Sequence, residues 1–158
     1  MKKSLFNAAT CITAIFAINL AVAQQTPPPI QWQVSLGGTG YDVPTSVQQT
    51  TDGGYIVAGY SNSVDGDLTG STNQGGTDYW IAKLDGAGGI VWKKKYGGPG
   101  NDVASYVRQT ADGGYIVSGY ASSAGGDVSS IHSGPNWKDC WIVKLDATGT
   151  LQWNKSLG

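Results

Sequence analysis

The sequence predicts an all-β fold of β-propeller-type blades, each with four antiparallel strands, and three observations carry that prediction. A segment of about 60 residues occurs twice and begins a third time. Within it, apolar and polar residues alternate at period two, the pattern of half-buried strands rather than helices. The chain holds 24 Gly, and all 11 of its acidic residues are Asp. Asp favours turns through its short side chain, whereas Glu favours helices.

In chain order, residues 1–23 read as an export signal. Lys2 and Lys3 form a basic start, an apolar stretch runs from Leu5 to Leu20, and Ala21-Val22-Ala23 supplies small residues for cleavage. An uncleaved membrane anchor is the competing reading. Asn7, Thr10, Thr13 and Asn19 dilute the stretch, and the polar segment after Ala23 favours removal. Cys11 lies mid-segment without a Leu three residues before it, which speaks against a lipoprotein. Residues 24–29 form a Pro-rich linker. The expected destination is outside the cytoplasm: periplasm, cell surface or medium, with no stable membrane span once the signal is gone.

The first repeat spans residues 30–89 and the second 90–150, and residues 151–158 open a third; Trp32, Trp92 and Trp153 mark the three starts. Strand signals at Ser46–Thr50 and Tyr55–Ser61 flank Thr51-Asp52-Gly53-Gly54, and Asp-Gly provides the positive φ that tight hairpins require. Strand signals at Tyr79–Asp85 and Ile90–Tyr96 flank Gly86-Ala87-Gly88-Gly89. Alternation sends Trp92 to one face with Ile90 and Tyr96, and makes Ile30, Trp32, Val34 and Leu36 a matching half-buried strand. Four antiparallel strands per unit is what a propeller blade needs; a stacked β-solenoid fits less well, because its coils are shorter.

The expected architecture is an open propeller of two complete repeats plus the first strand of a third. Propellers close with roughly four to eight blades. The sequence therefore reads as the N-terminal fragment of a longer propeller, or as a chain that closes one by self-association or with further repeats.

The recurring elements are a Trp followed by Gly-Gly and Asp, then DGGYIV-x-GY, then WI-x-KLD-x-x-G, as in Asp52–Tyr60 with Trp80–Gly88 and Asp112–Tyr120 with Trp141–Gly149. This pattern resembles the repeats of exported Bacteroidetes proteins, including lipoproteins and type IX secretion (T9SS) sorting-domain proteins. The resemblance covers residues 30–158 and implies a propeller-like fold without assigning an activity. Those proteins carry more repeats and a C-terminal sorting region, from which this sequence departs.

Loss of Lys2 and Lys3 with the signal lowers the formal net charge from −1 to −3, and no basic stripe appears, which excludes a nucleic-acid partner. Lys93-Lys94-Lys95 reads as solvated strand positions rather than a phosphate patch. Cys140, the one cysteine beyond the signal, is expected to be buried where the first repeat has Tyr79. Asp42, Asp52, Asp67, Asp78 and Asp85 recur as Asp102, Asp112, Asp127, Asp139 and Asp146. Catalytic carboxylate pairs need unlike environments, whereas a residue repeated once per blade sees the same one twice. Turn and loop hydrogen bonding is therefore their expected role.

Asp65 and Asp67 are a weak calcium candidate, since the second repeat has Gly125 in place of Asp65 and no later ligands follow. Gly37–Gly40 and Gly97–Gly100 lack the Lys and helix start of a phosphate cradle and read as chain reversals. No cofactor motif is present; a quinone-dehydrogenase propeller shares a Gly…Trp ending but not DGGYIV-x-GY. Tyr41, Tyr106 and Trp137 have no aromatic equivalent in the other repeat and are the candidate binding residues; packing in the core is the competing reading. The expected function is a structural or binding role at the cell surface, toward a protein or glycan, without catalysis. The alternative is a secreted glycosidase- or lyase-type propeller, for which the sequence offers His132 and Asp65 as non-repeated residues.

Overall fold

Among the described residues, period-two alternation and Asp-Gly turns give eight strands in two four-stranded antiparallel sheets. The computed structural model describes residues 27–158 apart from 133, 135 and 136, so the signal, Cys11 and the start of the linker lie outside the described residues. Residues 27–30 are exposed and lie outside the unit Gln31–Gly158. The first sheet runs β1 (Asp42–Gln49), β2 (Tyr55–Ser61), β3 (Asp78–Leu84), β4 (Ile90–Tyr96) in spatial order. The second repeats that order with β5 (Val103–Gln109), β6 (Tyr115–Ala121), β7 (Asp139–Leu145) and β8 (Leu151–Leu157). A 3-10 turn, Gly66–Leu68, interrupts the long β2–β3 loop. The sheets are stacked and open, as expected of propeller-type blades that have not closed into a ring.

The sheets are out of phase with the sequence repeat by one strand. Ile90–Tyr96 begins the second repeat yet hydrogen-bonds to β3 as the outer strand of the first sheet. Leu151–Leu157 likewise completes the second sheet against β7. The segment expected as a strand at residues 30–36 pairs with nothing and carries no strand structure.

Local chemistry repeats closely. In the β1–β2 hairpin Gly53 has φ +82°, and in β5–β6 Gly113 has φ +80°. The Asp52 carboxylate accepts hydrogen bonds from the Gly54 N–H at 3.1 Å, the Thr50 hydroxyl at 2.5 Å and the Lys83 ammonium at 3.1 Å. Asp112 does the same with Gly114, Thr110 and Lys144. A bulge between Pro44 and Ser46 recurs between Ala104 and Tyr106. Pro44 is tolerated because β1 is an edge strand at a bulge.

Another bulge corrects the expected faces of β4. Trp92 lies opposite Lys83, but Ile90 lies opposite Leu84, so the intervening Val91 breaks the alternation and puts Ile90 and Trp92 on opposite faces.

The main core lies between the sheets. Ile56, Ala58, Tyr79 and Ile81 of the first sheet meet Val107, Tyr115, Val117, Trp141, Val143 and Leu145 of the second. Tyr79 stacks on Trp141 with ring centroids 4.6 Å apart, and its hydroxyl donates to the Trp141 carbonyl at 3.0 Å. Burial pushes the Tyr79 phenol well above its ordinary pKa, so it stays a neutral donor. Along the inner strands, the Thr45 hydroxyl donates to the Ala104 carbonyl at 2.7 Å, and the Gln109 N–H donates to Gln48 Oε1 at 2.8 Å.

Cys140 is exposed, not buried. It occupies the pleat of Tyr79, but on the face of the second sheet that no third sheet covers. Lys95 is also unlike the expected solvated residue. Its ammonium is buried 3.7 Å from the buried Asp78 carboxylate and donates to Asn73 Oδ1 at 2.6 Å.

Candidate functional site

The repeated carboxylates hold loops. Asp42 accepts from the Gly38 N–H at 2.8 Å, and Asp102 accepts from the Gly98 N–H at 2.6 Å. Asp67 accepts from the Gly37 N–H at 3.1 Å, and Asp127 from the Gly97 N–H at 3.2 Å. Asp85 and Asp146 accept from the backbone of their own β3–β4 and β7–β8 turns. Burial raises the Asp78 and Asp102 pKa values above the ordinary carboxylate range. Hydrogen bonds from the Thr50 hydroxyl and Lys83 hold Asp52 well below that range, and those from Lys144 and the Thr110 hydroxyl do the same to Asp112.

The calcium candidate is engaged in the same way: Asp65 Oδ1 accepts from the Thr39 N–H at 2.8 Å, and Asp67 faces Gly37. Among the described residues, no group of three or more His, Cys, Asp or Glu is placed to hold a metal ion. His132 and Asp65 lie in the long loops of different sheets. The His132 N–H donates to Asp139 at 2.6 Å, and its ring Nδ1 lies 3.4 Å from the same carboxylate.

Tyr41, Tyr106 and Trp137 are all exposed rather than packed in the core. They stand on three different elements: Tyr41 in the loop entering β1, Tyr106 within β5, and Trp137 in the loop before β7. Only Tyr106 sits on a sheet face.

That face is the outer surface of the second sheet. Cross-strand register places Tyr106 opposite Ser118, Arg108 opposite Ile116, Ser118 opposite Ile142, and Lys144 opposite Trp153. Side chains two apart on a strand share a face. Tyr106 and Arg108 therefore share this surface with Trp153, Lys155 and Cys140. Tyr106 is 71% exposed and Trp153 49%. At one end, the Lys138 ammonium lies 3.9 Å from the Tyr120 ring centroid, a cation–π contact.

The corresponding face of the first sheet is a dry interface. There, the counterparts of Tyr106 and Arg108 are Ser46 and Gln48, which accept hydrogen bonds from β5. Exchanging them for Tyr and Arg removes the joint-forming acceptors and adds an aromatic plane beside a planar guanidinium. Comparison of the repeats singles out Tyr106 as an aromatic without an equivalent, whereas Arg108 and Trp153 join it through the strand register. The signal for Arg108 was its non-equivalence to Gln48; Trp153 is repeated, so nothing in the sequence distinguished it.

No protein-family model matches this chain, and no curated protein matches its sequence. No helix among the described residues is long and apolar enough to cross a membrane.

Proposed function

We propose that this is an exported repeat protein with a binding role at the cell surface, and that the outer face of the second sheet takes a glycan or protein ligand. One observation carries the reading: the two inner-strand positions that join sheets at Ser46 and Gln48 become the exposed Tyr106 and Arg108 at the equivalent pleats. An exposed Tyr offers an apolar plane with a polar tip, suited to stacking on a sugar ring or anchoring a partner loop. Arg supplies planar, multiple donors for hydroxyl or carboxylate oxygens. The repeated carboxylates are bound into loops, which favours binding over hydrolysis.

The test is a glycan and protein binding screen with the parent chain and Tyr106→Ala/Arg108→Ala. A ligand whose binding drops at least about tenfold in the variant, a loss of about 1.4 kcal/mol, supports the reading. Binding that is unchanged in the variant moves the site elsewhere.

A further inference from the structure

The outer face of the first sheet tells a different story, independent of any ligand on the second. Residues 31–36 lie over it with no strand pairing of their own. Their placement reproduces that of β4 against the second sheet. Trp32 meets Tyr55 edge-on at 5.4 Å and 66°, and Trp92 meets Tyr115 at 5.7 Å and 65°. A Cβ on Gly88 would lie 2.8 Å from the Trp32 ring, and one on Gly149 would lie 2.9 Å from the Trp92 ring. The Asp67 N–H donates to the Gly37 carbonyl at 2.9 Å, as the Asp127 N–H donates to Gly97 at 2.8 Å. Leu36 packs on Val57, Trp80 and Leu84, where Tyr96 packs on the second sheet's core.

β4 differs in one respect: it is the fourth strand of a sheet that covers its neighbour. We propose that residues 31–36 are likewise a fourth strand, held ready for a partner: a three-stranded antiparallel sheet of this same repeat type that ends without its own outer strand. Its third strand would pair with residues 31–36, in the manner of strand addition to a sheet edge. Its inner face would fill the apolar depression lined by Trp32, Leu36, Val47, Val57, Trp80 and Leu84. The intrachain joint shows what fits there, because Ile56, Ala58, Tyr79 and Ile81 cover the equivalent surface of the second sheet. A polar contact is anticipated as well. Asp127 Oδ2 accepts from both Gly97 and the Gln74 side chain, and Asp67 Oδ2, which accepts from Gly37, would take the corresponding amide of the partner.

A second copy of this chain does not fit the socket. Its second sheet already has β8, which would collide with residues 31–36. It also presents Ser118 and Cys140 in place of Ala58 and Tyr79. Two residues before Asp139 stands Trp137, where Gly76 precedes Asp78; a Cβ at Gly76 would lie 2.0 Å from Asn101 Oδ1.

The experiment replaces residues 1–29 with a copy of Gly37–Gly89, so that the added unit runs into Ile30 as Gly89 runs into Ile90. Amide hydrogen exchange is then compared with the unextended chain. The expected result is about a hundredfold slower exchange at residues 31–36 together with protection of the added strands. An Ala58→Asp change in the added copy alone should abolish both. An added unit that exchanges and is proteolysed as unfolded chain, while the rest stays folded, overturns the proposal. So does concentration-dependent self-association of the unextended chain, seen by sedimentation and abolished by Val57→Asp, because a second copy would then be the occupant.

Discussion

Ile56, Ala58, Tyr79 and Ile81 of the first sheet occupy the same pleats as Ile116, Ser118, Cys140 and Ile142 of the second, yet only the first set is wholly buried. On the opposite faces the order reverses: Val107 is 3% exposed, and its counterpart Val47 is 66% exposed. The described residues thus contain one complete joint between sheets and two unmatched halves of it. The half carried by the first sheet keeps the apolar character of the joint. The half carried by the second has traded Ala and Tyr for Ser and Cys, and Ser and Gln for Tyr and Arg. Equivalent pleats therefore report separately on packing and on surface chemistry, which makes paired substitutions informative.

The largest contrast is expected at Tyr79 and Cys140. Tyr79→Ala removes a stacked ring and its hydrogen bond from the inter-sheet core and should cost about 3–5 kcal/mol. Cys140→Ala should stay within about 0.5 kcal/mol, as for other exposed positions. Denaturant midpoints of the two variants check this, and equal losses would break the assignment of one face as core. Next come Val107→Ala and Val47→Ala. The buried side chain should lose about 1.5–3 kcal/mol and the exposed one much less.

Gly88→Ala and Gly149→Ala sharpen the comparison from the other side, since the two should behave alike. Both residues have positive φ, +87° and +79°, and both face a Trp ring. Each change should cost at least about 1 kcal/mol. A much smaller loss at Gly88 would mean that Trp32 is not seated as Trp92 is.

The smallest effect is electrostatic. Asp52 and Asp112 have lowered pKa values, so the stability each adds is present above the ordinary Asp pKa near about 3.9 and is lost as pH falls toward the folded value. The double variant Asp52→Asn/Asp112→Asn should therefore lose less stability than the parent between neutral pH and about pH 3, as urea midpoints would show. Asp78 and Asp102, whose pKa values are raised, act with the opposite sign, because their protonated forms favour the fold. They partly offset the acid sensitivity of the parent and its variant alike.

Much of the fold was legible because its signals are local. Asp52-Gly53 and Asp112-Gly113 specify tight turns through backbone conformation, and the Asp side chain bonds within its own hairpin. Ile90 and Lys95 depart from the expected faces for the opposite reason, because their surroundings are not set locally. One extra residue at Val91 turns Ile90 to the other face, and Lys95 is buried where the β2–β3 loop brings Asn73 to it beside Asp78 at the start of β3. The candidate face was visible only in part: Tyr106 stood out as an aromatic without an equivalent. Arg108 and Trp153 joined it once the register of β5, β7 and β8 was known.

By itself the sequence determined the strand-and-turn unit, its length and its all-β class, because turn geometry and period-two alternation act within a few residues. The tertiary structure decided which copy of each residue is dry, where one sheet ends and the next begins, and that residues 31–36 lie on a sheet without joining one. Burial belongs to a residue and its neighbour together: Val47 and Val107, the same residue at the same pleat, differ in exposure through what is packed against them.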